Sequence, residues 1–122
     1  MDTKNKSYDL EERTTAFSCG IIEFIRGLKK DIVTTPLMSQ LVRSATSIGA
    51  NYREANGASS KRDFKNKIFI CKKEAKETMY WLQLMAKASP DHASECRKQW
   101  KEVHELTMIF SKIIMTTNKG ND

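Results

Sequence analysis

Apolar residues recur along most of the chain at steps of three and four, the spacing that gathers them on one face of an α-helix. In the first such stretch Leu10, Phe17, Ile21, Phe24, Ile25 and Leu28 fall on one line, which predicts a helix over about residues 9–29. Asp9, with Glu12 three residues on, has the form of a capping box at its start. A short β-branched connection from Asp31 to Thr35 leads to a second helix over about 36–55. Thr35 is its expected N-cap and Pro36 its first residue, where a missing N–H costs nothing. Leu37, Leu41, Ser44, Ile48 and Ala55 form the inward line. Ser44, Ala45, Ser47, Gly49 and Ala50 make this helix thin, so a neighbour can approach closely, and Asn56-Gly57 ends it.

The third helix starts near Ser59 or Ser60, carries Asp63 in its first turn and meets no breaker until Ala88, for a length of about 40 Å at 1.5 Å per residue. Ser89-Pro90 stops it and starts a fourth over about 90–115, with Ser89 as cap, Pro90 first and Asp91 in the first turn. Cys96, Trp100, Val103, Leu106, Phe110 and Ile113/Ile114 share a face, and Thr116 to Asp122 reads as a frayed polar tail. The expected fold is all-α: one domain over residues 1–122, folded as an antiparallel up-down-up-down four-helix bundle. Nothing reads as a strand pair or a repeat.

Composition agrees, with 39% hydrophobic and 30% charged residues and few glycines and prolines. No apolar run approaches the ~20 residues that span a bilayer, and Met1 to Ser7 is too polar for a signal peptide, so a cytoplasmic protein without membrane contact is expected. Cys19, Cys71 and Cys96 are odd in number and widely spaced, a poor disulfide framework; each is expected to be a small buried hydrophobe. The net charge of +6 is uneven: residues 59–89 hold eight Lys/Arg against three Asp/Glu, and so account for +5 of it.

At about 100° per residue the third helix separates into three stripes. Phe64, Ile68, Cys71, Ala75, Thr78, Leu82 and Met85 form the core stripe. Lys65, Lys72, Lys76 and Lys87, with Arg62 and Lys73 beside them and Phe69 and Tyr80 among them, form a basic one. Ile70, Glu74, Glu77, Trp81, Leu84 and Ala88 form a third, which a bundle with one apolar stripe per helix does not require. A lysine stripe is ordinarily a solvated face, and Trp81 and Ile70 could be lateral contacts in a wide bundle. Alternatively, Trp, Ile and Leu aligned with carboxylates suit a subunit interface. Arg43, Ser47, Ala50, Asn51 and Glu54 share a stripe of the second helix, and Arg43 could pair with Glu74 or Glu77 within or across subunits.

The run from Gln40 to Ala55 (QLVRSATSIGANYREA) resembles the hallmark segment of the family called four helix bundle protein. Its founding members are encoded within intervening sequences of bacterial 23S ribosomal RNA genes. The likeness continues through Ser60-Lys61-Arg62-Asp63-Phe64 and from Glu74 to Leu82, with departures at Tyr52-Arg53 and Asn56. It covers roughly residues 8–115, with the specific motifs between 40 and 82. The resemblance implies an up-down bundle assembled as a homopentameric ring. It also implies a distant likeness to the accessory proteins of diversity-generating retroelements, basic bundles that work with a reverse transcriptase and nucleic acid. It brings no established enzymatic role.

The residues themselves offer no catalytic constellation. Neither His92 nor His104 follows a glutamate by three, as inward-facing metal carboxylate bundles require. His104-Glu105 lacks a second histidine at zincin spacing, and no phosphate-binding glycine loop is present. The expectation is therefore a non-enzyme without cofactor or metal. It would bind RNA or another nucleic acid through Arg62, Lys65, Lys72, Lys73 and Lys76 and assemble with itself. A protein-interaction scaffold that ignores nucleic acid is the alternative.

Overall fold

A computed structural model describes residues 5–119, with side chains from Asp9 onward. Four helices follow one another: α1 Asn5–Arg26, α2 Thr34–Asn56, α3 Lys61–Ala88 and α4 Ala93–Lys119, with a single 3-10 turn at Pro90–His92 before the last. α3 packs along α2 on one side and α4 on the other, whereas α1 lies against α2 and meets α4 only sparingly. The predicted bundle is thus present in its expected chain order.

The predicted apolar lines are the core. Phe17, Ile21, Phe24, Leu28, Leu41, Ile48, Leu106 and Phe110 are buried, as is the whole α3 core stripe except the half-buried Phe64. The thin face of α2 allows close approach on two sides. Thr78 Oγ1 of α3 lies 2.8 Å from Ser44 Oγ. A Cβ added to Gly49 would stand 3.2 Å from Thr14 Oγ1 of α1, so only glycine leaves that contact unstrained.

Helix ends depart from expectation where a local signal was overruled. Asp9 does not cap α1, which begins at Asn5; with no Gly or Pro in residues 5–8, a formed turn propagates upstream at little cost. Glu11 turns instead to α2, taking hydrogen bonds from Arg53 (3.3 Å) and Asn56 (2.7 Å). Two of the departures from the family pattern are therefore an α1–α2 tie, and the third, Tyr52, is buried against Phe110. α1 stops at Arg26, short of Lys29, by tightening: Gly27 and Leu28 N–H donate to Phe24 and Ile25 carbonyls.

α2 begins at Thr34, ahead of the expected Thr35-Pro36 start, because Asp31 caps it. The Asp31 carboxylate accepts from the N–H groups of Thr34 (2.8 Å) and Val33 (2.9 Å), bonds that hold its pKa below the ordinary value. At α3 the expected cap is observed, Ser60 Oγ accepting from Asp63 N–H at 3.0 Å. Ser89 closes α3 instead, its N–H donating to the Met85 carbonyl at 2.8 Å; its hydroxyl caps no backbone N–H but lies 2.9 Å from His92 Nδ1, and Pro90 opens the 3-10 turn rather than α4. Residues 116–119 continue α4 instead of fraying, while 120–122 lie outside the described residues.

Of the cysteines, Cys71 and Cys96 are buried as expected, and burial raises their thiols to about 12 and about 11. Cys19 is exposed, because it sits on the side of α1 opposite Phe17, Ile21 and Phe24.

A candidate nucleic-acid interface on helices three and four

The stripes predicted for α3 have different fates once α2 and α4 are in place. Glu74 is buried and Glu77 half-buried, and both face α2, where Arg43 donates to Glu74 Oε1 at 3.3 Å and to Glu77 Oε2. Glu77 also accepts from Trp81 Nε1 at 3.0 Å, and Gln40 accepts from Arg43 Nε at 3.1 Å. These carboxylates are satisfied inside one chain, and Trp81 packs partly against the core. The other residues assigned to this cluster are not gathered with Arg43. Ser47 Oγ and Asn51 Nδ2 donate to carbonyls of their own helix, at Arg43 and Ser47, both 2.8 Å. Glu54 accepts from Lys67 at 2.6 Å, farther along the α2–α3 seam, where Ile70 is half-buried beside them.

The basic stripe lies on the outer crest of α3 and turns toward α4. Arg62, Lys73, Lys76 and Lys87 are exposed and Lys72 half-buried, none with an ion-pair partner among the described residues. Lys65 reaches across to α4, its Nζ 3.0 Å from Asn118 Oδ1. Phe69 and Tyr80 stand among these cations 47% and 52% exposed, large rings left in solvent by a helix that buries its other apolar line.

Helix four extends this face, a feature that residue counts concealed. Arg97, Lys101, Met108, Lys112, Met115 and Lys119 recur at steps of three, four and seven, within about 60° of one another around α4. All six are exposed. The 90–122 segment looks neutral because it holds five cations and five anions. Its glutamates lie elsewhere: Glu102 and Glu105 turn to α1, where Arg13 donates to both at 2.7 Å, and Glu95 accepts from Gln99. These hydrogen bonds, that to Glu102 foremost, hold the Arg13 guanidinium above its already high pKa.

Glu74 and Glu77 are thus drawn toward α2, and Glu102 and Glu105 toward α1, which leaves the cations of α3 and α4 interspersed with Phe69, Tyr80, Met108 and Met115. The seam between the helices is shallow, with a depression of about 400 Å³ bounded by Gln83, Ala86, Arg97, Trp100 and Lys101. Trp100 stacks on His104 at 4.9 Å, with its Nε1 buried and without a hydrogen-bond partner among the described residues.

Among the described residues no group of three or more His, Cys, Asp or Glu is placed to hold a metal ion, and no helix is long and apolar enough to cross a membrane. The arrangement is suited to extended electrostatic contact.

The sequence pattern of the family described as 23S rRNA-intervening sequence protein matches residues 6–115. A crystal structure of a protein of unknown function from the S23 ribosomal protein family of Bacteroides thetaiotaomicron is similar, with 32% identity and a TM-score of 0.81. The match covers 90% of this chain and 98% of that one. No curated protein matches the chain. A family match running through all four helices, on a bundle that also superposes on a solved relative, places this chain in the 23S rRNA-intervening sequence protein family.

Proposed function

We propose that this protein is a non-catalytic nucleic-acid-binding module whose contact surface is the α3/α4 face. The observation that carries the reading is the segregation of charge. Cations from both helices share one surface while the neighbouring glutamates are bound to Arg43 and Arg13 behind it. Such a surface favours a polyanion through phosphate contacts and counterion release, without reading sequence. RNA is the polyanion proposed, because exposed aromatic rings stand among the cations of this face. The homopentameric ring implied by the resemblance belongs to the same proposal: each added copy would bring another such face, and avidity would follow. Ile70, Trp81 and Leu84 at the α2–α3 margin are only half-buried in one chain, which leaves apolar surface for a neighbouring copy.

Filter binding of a labelled RNA over a salt series tests the reading. Affinity should fall with salt, with a log–log slope of about −0.7 for each phosphate neutralised on a single strand. Lys72→Glu combined with Lys76→Glu should weaken binding about tenfold or more at low salt and flatten the slope. Absence of binding by the wild-type protein at low salt would remove the proposal.

A second reading has one observation in its favour. Ile32 and Val33, at the tip of the α1–α2 connection, are 92% and 55% exposed, an apolar point suited to a protein partner. Capture of a specific protein that is lost in Ile32→Glu, by a chain indifferent to RNA, would favour a scaffold instead.

A further inference from the structure

Phe69 and Tyr80 are hard to account for by electrostatics alone. Phosphate neutralisation uses the cations alone and makes no use of the two half-exposed rings among them. Their placement is regular. Along the crest of α3 the exposed and half-exposed positions read Arg62, Lys65, Phe69, Lys72 and Lys73, Lys76, Tyr80, Gln83, Lys87, so that each ring has cations on both sides within about one turn or two. The two rings are eleven residues apart, hence about 16 Å along the helix axis. That distance is just under five stacked steps of ~3.4 Å, and an unstacked strand would cover it in fewer nucleotides.

The second ring is also held in place. Tyr80 packs edge-on against Trp81, with ring centroids 5.1 Å apart and planes at 60°. Trp81 is fixed by its hydrogen bond to Glu77, and Glu77 by Arg43 of α2. The polar cluster behind α3 therefore limits the freedom of an exposed ring in front of it, which lowers the entropic cost of stacking a partner on it.

Building on the nucleic-acid reading above, we infer that the α3/α4 face selects single-stranded over duplex nucleic acid, with Phe69 and Tyr80 as base-stacking platforms and Lys72, Lys73 and Lys76 on the phosphates between them. A duplex keeps its base faces stacked inside and can offer these rings only its backbone; a single strand offers π-faces that stack on an aromatic ring whatever the sequence. Met108 and Met115 of α4, 53% and 60% exposed, add polarisable apolar surface on the neighbouring helix against which unstacked bases can rest.

The test uses the intact protein, with fluorescence anisotropy of a labelled 12-nucleotide RNA and of the same strand annealed to its complement, at one low salt concentration. The wild-type chain should prefer the single strand by at least about tenfold. Phe69→Ala and Tyr80→Ala should each weaken single-strand binding about fivefold or more while changing duplex binding less than about twofold. Phe69→Tyr and Tyr80→Phe should retain the preference. Both rings are surface residues, so thermal melts should confirm that the variants remain folded. Equal affinity of the wild type for the two forms, or alanine variants that keep the single-strand preference, would overturn the inference. If that occurs while Lys72→Glu/Lys76→Glu still weakens binding to both forms about tenfold or more, the polyanion reading stands and the stacking role alone falls. If the wild type binds neither form, both fall together.

Discussion

A carboxylate on α3 can serve the surface or the interior depending on where one arginine stands. Glu74 is buried beside α2, and its compensation comes from Arg43, a side chain that is itself about half exposed. Arg43→Ala removes that partner and leaves a desolvated carboxylate, a change expected to cost about 1–2 kcal/mol once solvent screening of the exposed guanidinium is allowed for. Urea unfolding should show the loss as a lower midpoint, and Glu74→Gln in the Arg43→Ala background should recover part of it. The thiols supply a pH dependence. Unfolded, Cys71 and Cys96 ionise near 9.0, whereas burial raises them in the native state to about 12 and about 11. Above pH 9 the unfolded chain therefore holds fewer protons than the native one, so stability should fall as pH rises, by up to about 1.4 kcal/mol per unit for each thiol. Denaturant midpoints between pH 9 and 10 should decline less in a Cys71→Ala/Cys96→Ala variant than in the wild type.

At the scale of elements, the first helix is the least anchored. Its contact with α4 is sparse, and Arg13 with Glu102 and Glu105 carries the polar part of it. Each of these side chains is about a third or more exposed, so Arg13→Met should cost only about 1 kcal/mol, less at high salt. Its clearer effect should be on amide hydrogen exchange, faster throughout α1 and little changed in α3. No change in α1 exchange would mean that the α2 contacts alone hold the helix. The extents of the helices were legible because periodicity is a sum over many residues: the line from Phe17 to Leu28 and that from Ile68 to Met85 each identify a helix without help from any one position. The ends were less legible, because a single cap competes with alternatives. Asp9 had the form of a cap but is passed over, while Asp31, three residues ahead of α2, does the capping.

For the whole molecule, the property that matters is how charge is distributed among faces. The excess of lysine on α3 was apparent from counting; the contribution of α4 was not, since its cations and anions cancel in the sum while lying on different sides of the helix. On the proposed function, Lys101→Glu with Lys112→Glu on α4 should weaken RNA binding about as much as the α3 pair does. Lys29→Glu with Lys30→Glu, at the α1–α2 connection away from this face, should change it less than about twofold. Equal losses from both pairs, measured at the same salt, would instead indicate attraction by net charge alone.

The sequence by itself determined that four amphipathic helices would form in this order and that their apolar lines would be buried, because spacing at 3.6 residues per turn is a local property. It also contained the pairing candidates, Arg43 with Glu74 and Glu77, and the lysine stripe of α3 with its two rings. Only the tertiary structure decided that Arg43 and those carboxylates meet within one chain, and that Ser47 and Asn51 turn back to their own helix. It alone placed the cations of α4 beside those of α3. Those outcomes depend on how each helix is rotated and on which neighbour it meets, and both are set by close packing between elements far apart in the chain.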